Sequence, residues 1–385
     1  MEQEKRQILF ALLRCAICGA ELTSEEKNSY SLEQLSEVLE IAKMHDIAHL
    51  VIFVLKQSDM LIAEYGFLGQ ELLGAVFRYE RLEYERKCVC EALEEAEIPF
   101  MPLKGAVIRR YYPEPWMRTS CDIDVLVHEE DLGKAVACLE EKLGYSKGAQ
   151  GRHDIPLRSA SGVNLELHYD LVESDVANDA AKVLEQVWDV AMPKEDKVYW
   201  QEMPDELFYF YHIAHMAKHI QQGGCGVRPC IDLWLLDKQT ENTQRREALL
   251  KEGNLSRFVA VARRLSKVWM EDAPHDEITE KLENYILQGG VFGALSNKIA
   301  IAQQKRGGKL GYVLSKVFVP YDVIKYHYPI LQKRPWLTPF MQVRRWCKLI
   351  FCGHARRTMQ ELSYNQNLPK SQAEEVRLFL EDVGL

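Results

Sequence analysis

Apolar positions recur with one period over the first quarter of the chain and with another beyond it. Up to about residue 98 they fall at helical spacing. "SLEQLSEVLEIAKMHDIAHLVIFVLKQ" opens on Ser31, with Glu33 and Gln34 in the first turn, which is an N-cap signature. A longer helix is predicted from about Gln70 to Glu97, and Ile98–Pro99 breaks it. The period then shortens. "IPFMPLKG" is a short apolar run ended by glycine and reads as a buried strand. "AVIRRYY" allows one or two helical turns, stopped by "PEP", and "DIDVLV" reads as a second strand. "EEDLGKAVACLEEKLGY" is a helix with acidic residues in its first turn and Gly144 at its end. Weaker strands are expected at 145–149 and around "DIPLRSA", and a clear one at "VNLELHYDL". From about Pro204 the helical period returns and continues to the C-terminus.

This pattern predicts an α+β protein in three parts: an N-terminal helical region (1–98), a sheet-bearing core (99–192) and a C-terminal helical region (193–385). At 385 residues the chain is long enough for each part to bury its own core. No apolar run reaches the ~18 residues that span a bilayer, and the charged start "MEQEKRQILF" is unlike a signal peptide. The expectation is a cytoplasmic protein. The cysteines include a CxxC (Cys15, Cys18) and a CxC (Cys88, Cys90), both in helical stretches with no second pair at zinc spacing, so they read as reduced thiols.

Net charge changes the picture locally. The overall value of −9 argues against broad coating of nucleic acid. From Val323 to Gln360, however, there is no Asp or Glu, while Lys325, Lys333, Arg334, Arg344, Arg345, Lys348, Arg356 and Arg357 are interleaved with Trp336, Phe340, Trp346 and Phe351. The segment 323–360 suits an anionic partner (a nucleotide, an RNA or lipid head groups) or packing on an acidic neighbour.

The candidate chemistry lies in the strands. Side chains alternate faces, so Asp122 and Asp124 project together while Ile123, Val125 and Val127 point the other way. Two adjacent carboxylates repel each other unless a cation lies between them, and hard divalent ions favour carboxylates plus phosphate oxygens. In "VNLELHY" the polar face carries Asn164, Glu166 and His168, which puts a third carboxylate within reach if the strands pair. Lys104–Gly105 stands between a strand and a helix, where backbone N–H groups and a lysine charge suit phosphate; Arg118 could fork onto the same oxygens. His212, His215 and His219 fall on one side of a helix, but the Glu of a HExxH motif is missing; they read as cleft-lining or core-satisfying residues. His153 and His168 are further candidates for substrate contact, and "GGCG" at 223–226 lacks the GK[ST] of a P-loop.

"IPFMPLKGAVIRRYYPEPWMRTSCDIDVLV" resembles a nucleotidyltransferase family of the DNA polymerase β-like superfamily: an "LKG" strand end, a Tyr-Pro-x-Pro turn, an arginine, then D-[IL]-D-x-L-V. Glu166–Leu167–His168 matches the family's later [DE]-L-H strand, and His215, His219, Arg228 and Asp232 match its downstream helices. The resemblance implies a polymerase β-like sheet domain and a reaction that moves a nucleoside monophosphate from an NTP. It implies Asp122, Asp124 and Glu166 as catalytic metal ligands for Mg²⁺ or Mn²⁺, and Lys104, Gly105 and Arg118 as phosphate contacts. His168, His215 and His219 join these as nucleotide-site candidates. Lys-Gly here replaces the superfamily's usual Gly-Ser phosphate-binding pair. The acceptor is left open among a small molecule, a peptide, a protein and an RNA. Kinase-like transfer from the same site and a non-catalytic nucleotide- or RNA-binding module stand as alternatives.

Overall fold

The computed structural model describes residues 2–60, 68–171, 178–239, 243–351 and 355–385. It is an α+β protein built mostly of helices around one five-stranded mixed sheet. The strands of this sheet are β1 (Phe100–Pro102), β2 (Asp122–Val127), β3 (Ser146–Lys147), β4 (Asp154–Arg158) and β5 (Asn164–His168), in the order β1-β2-β5-β4-β3; a separate antiparallel pair joins Met192–Pro193 to Gln201–Glu202. All five expected strands are present; the last is shorter than its apolar run. β2 and β5 pair in parallel at the centre, and the other pairings are antiparallel.

Alternation along the strands sends the two sheet faces to different neighbours. Ile123, Val125, Val127, Leu165 and Leu167 face a core completed by Leu82, Val89 and Leu93 of the helix Leu68–Glu95 and by Leu132, Val136 and Leu139 of the helix Leu132–Leu143. Each fully buried aliphatic side chain there contributes about 1.5–3 kcal/mol. The latter helix ends as the sequence predicts, with Gly144 in the left-handed conformation at φ 67°. On the opposite face, Met101 and Leu126 join a second core that runs from the N-terminal helices to the helices beyond residue 204.

The N-terminal and C-terminal helical regions share this second core. Phe10 stacks on Trp269 at 4.5 Å, and Arg14 donates to the Trp269 carbonyl at 3.2 Å. Ser31 caps the helix Leu32–Met44 in a reciprocal box with Gln34, as its spacing foretells. No helix among the described residues is long and apolar enough to cross a membrane.

Candidate active site

Parallel pairing of β2 with β5 sets Asp124 beside Glu166 and Asp122 beside Asn164, and paired residues of neighbouring strands share a face. The three carboxylates expected to act together therefore line one wall of one cavity. Asp124 is buried, and its Oδ1 accepts from Lys104 Nζ at 2.7 Å and meets His168 Nε2 at 2.9 Å. His168 Nε2 also lies 3.4 Å from Glu166 Oε2. Ligand atoms of Asp124, Glu166 and His168 fall within 4.8 Å of one another, a group able to hold a metal ion.

The two aspartates differ electrically. Burial, reinforced by the charges of Asp124 and Glu166, pushes the Asp122 carboxyl up to about 6. Burial also acts to raise Asp124, but the Lys104 ammonium and the His168 hydrogen bond overcome it and hold that carboxyl well below its ordinary range. His168 moves upward: burial opposes its charged form, and the bonds to Asp124 and Glu166 outweigh the burial. Asp122 is thus less well compensated than Asp124: Lys104 and Arg118 offset only part of the burial and the neighbouring negative charges. Hard oxygen donors under mutual repulsion fit a divalent cation.

Lys104 reaches Asp124 because the chain reverses sharply after β1. Its backbone adopts φ 46° and ψ −117°, a conformation rare outside glycine that costs on the order of 1–3 kcal/mol. Leu103 N–H donates to the Asp124 carbonyl at 3.0 Å, and the Lys104 carbonyl accepts from Val107 and Ile108, so the surrounding bonds hold the turn. The helix that follows, Gly105–Ile108, is a single turn, and the guanidinium groups of Arg109 and Arg118 lie beside its first residue. A Cβ on Gly105 would meet Ser120, Arg109 and Arg118 at 3.4–3.5 Å. Burial, with Arg118 nearby, pushes buried Arg109 down to about 10; its Nη2 donates to Ser120 Oγ at 3.0 Å.

Arg118 lines the cavity, yet its fork is occupied. Nη2 and Nε donate to the fully buried Asp232 at 2.8 Å and 3.1 Å, and Tyr112 Oη donates to the same carboxylate at 2.7 Å. Arg228 donates to the carbonyl and hydroxyl of Thr119 and pairs with Asp46 at 3.3 Å. These contacts pin the segment that enters β2 between helices from both ends of the chain.

The facing wall is the helix Asp205–Gln221, which presents Tyr211, His212, His215 and His219 to a cavity of about 410 Å³, within the range of small-molecule sites. His215 and His219 share a hydrogen bond at 3.1 Å between their Nε2 atoms, so one donates and the other accepts. Burial and the Lys104 charge hold His215 far below its ordinary value; burial and the Lys218 charge bring His219 down to about 4. His212 lies 3.0 Å from the Pro229 carbonyl. Neither His215 nor His219 joins a metal-binding group among the described residues. His153 stacks beside His168 at 5.6 Å.

Sequence reasoning missed Tyr211, whose phenol is held well above its ordinary value by burial, and Arg109. Arg228 and Asp232 belong to the sequence pattern, but the hold of Asp232 on Arg118 emerges only from the fold. A model of an uncharacterised nucleotidyltransferase family matches residues 31–271. No curated protein and no solved structure matches the chain. Because that match spans more than half of the chain and takes in every strand of the sheet, the chain belongs to this nucleotidyltransferase family.

Proposed function

We propose that the protein moves a nucleoside monophosphate from an NTP to an acceptor hydroxyl with release of pyrophosphate, on a polymerase β-like sheet. The observation that carries this reading is the register that sets Asp124 against Glu166, with Asp122 on the same face of one cavity. Residues 99–192 form the transfer unit, and the regions on either side supply the histidine wall and the buried anchors.

In this reading Asp122, Asp124 and Glu166 hold Mg²⁺ or Mn²⁺, which would neutralise charge developing on the departing pyrophosphate. Lys104, which bonds Asp124 and lines the cavity, binds a triphosphate oxygen as a point charge. Gly105 lets the backbone approach the phosphates, and Arg118, fixed by Asp232, adds positive field without leaving its partner. Glu166, its side chain 35% exposed against 5% for Asp124, takes the acceptor proton. Neutral His215 and His219, with His168, orient the nucleotide by hydrogen bonds. All of these groups line the same cavity of about 410 Å³.

The test uses NTPs labelled at the α- or the γ-phosphate, incubated with the protein, Mg²⁺ and a cell extract as the source of acceptor. The α-label should appear on an acceptor as pyrophosphate is released. Transfer of the γ-label with formation of a diphosphate would replace this reading with a kinase.

A further inference from the structure

We propose that the helix Thr338–Phe351 is a docking surface for an anionic lipid membrane, lying in the head-group plane rather than crossing the bilayer. It lies outside the residues matched by the family and plays no part in the cavity.

The helix has two distinct sides. Gln342, Arg345 and Trp346 turn inward onto the end of the helix Lys309–Val317: Trp346 Nε1 donates to the Val317 carbonyl at 2.7 Å, and Arg345 donates to the Lys316 and Val317 carbonyls at 3.0 and 3.3 Å. At 3.6 residues per turn, Phe340, Val343, Cys347 and Phe351 fall on the opposite arc, with Arg344 and Lys348 along one flank. All six are exposed, Phe351 at 83% and Phe340 at 64%. Trp336, 67% exposed, precedes the helix beside exposed Lys333 and Arg334. A second apolar stripe, Leu310, Leu314 and Phe318, reaches this helix where Phe318 packs edge-on against Trp346 at 5.5 Å.

Charge complementarity selects the occupant. No acidic residue occurs from Val323 to Gln360 in a chain of net charge −9, so this stretch is basic against the overall charge of the chain. A second copy of the chain would set Arg344 and Lys348 against their own counterparts across a two-fold axis, where like charges repel. An RNA would satisfy the cations and the aromatic rings but leave Val343 and the Leu310–Leu314 stripe without an apolar partner. A membrane interface satisfies both: rings and aliphatic groups enter the acyl boundary while the flanking cations meet anionic head groups.

The full chain, mixed with vesicles of phosphatidylcholine alone or with phosphatidylglycerol, should sediment only with the anionic vesicles, and less so as salt rises. Phe340→Ser with Phe351→Ser, and separately Arg344→Glu with Lys348→Glu, should each lower partitioning at least about tenfold. Both pairs are exposed and outside the site, so transfer of the α-label should be unchanged. Hydrogen exchange of the unaltered chain should slow over 338–351 when anionic vesicles are added. No binding, equal binding to neutral vesicles, or tighter binding to a single-stranded RNA that the phenylalanine changes leave intact would overturn the proposal.

Discussion

Asp122→Asn should abolish nucleotide transfer and leave the fold at least as stable, whereas Asp124→Asn should abolish transfer and destabilise the fold. Asp122 is the member under repulsion: burial and its neighbours Asp124 and Glu166 push its carboxyl up to about 6. The folded protein therefore holds that proton more tightly than the unfolded chain does. The associated loss of stability is absent below about pH 4 and complete above the folded value. An uncharged amide removes the penalty. At about pH 8 without divalent metal, Asp122→Asn should melt no lower than the unaltered protein and gain on the order of 1–2 kcal/mol. At about pH 4 the two should melt alike.

Asp124 has the opposite surroundings. It compensates Lys104 at 2.7 Å and His168 at 2.9 Å, and its lowered carboxyl stabilises the fold above the ordinary aspartate range, an effect lost as pH falls. Asparagine strands both partners. Breaking a buried pair costs about 3–5 kcal/mol, and partial exposure of Lys104 brings the expectation to roughly 2–4 kcal/mol. Transfer should fall at least about a hundredfold in either variant. Thermal melts and label transfer measured on the same samples check both statements. Equal losses of stability would make the pair structural, and surviving activity would remove the carboxylates from the chemistry.

Asp232→Asn should be among the most destabilising single changes near the cavity, although Asp232 faces no proposed reacting atom. It is fully buried, receives Arg118 through two nitrogens and Tyr112 through its hydroxyl, and adds to the field that Asp46 sets at Arg228. Without its charge, the largely buried Arg118 loses its counter-ion, at a cost of about 3–5 kcal/mol. Adding salt should not restore the loss, because solvent ions do not reach the pair. The double change Arg118→Met with Asp232→Leu should recover most of the stability, since replacing a whole buried pair is far cheaper than halving it. Transfer should stay low in the double variant if the field of Arg118 serves the phosphates. A single variant within about 1 kcal/mol of the unaltered chain would show that Arg118 is held by other contacts.

The strands and the shared face of Asp122, Asp124 and Glu166 were legible because both rest on local rules: period-two alternation and apolar runs bounded by breakers. The inequality of the two aspartates was not. It depends on Lys104 and His168 meeting one oxygen of Asp124, and that follows from the reversed backbone at Lys104 and the register of β5. Arg118 looked like a free fork because its partner, Asp232, lies more than a hundred residues away. Arg344 and Arg345 looked equivalent in a basic run, but a helix sends neighbouring residues in different directions, one to solvent and one onto the Lys316 and Val317 carbonyls. The three-part reading along the chain also hid the core that the first and last helical regions share, since periodicity shows which face is buried but not against what.

The most direct test of the central claim is Mn²⁺ binding, followed by electron paramagnetic resonance at about pH 8, in the unaltered protein and in Glu166→Gln. Glutamine keeps the shape of the side chain and removes the charge that Asp124 and Asp122 are proposed to share with a cation. The unaltered protein should bind Mn²⁺ and tighten on it when NTP is added. Glu166→Gln should bind the ion at least about tenfold more weakly while still binding nucleotide. Undiminished Mn²⁺ binding by Glu166→Gln, or none by the unaltered protein with NTP present, would contradict a metal site built on β2 and β5.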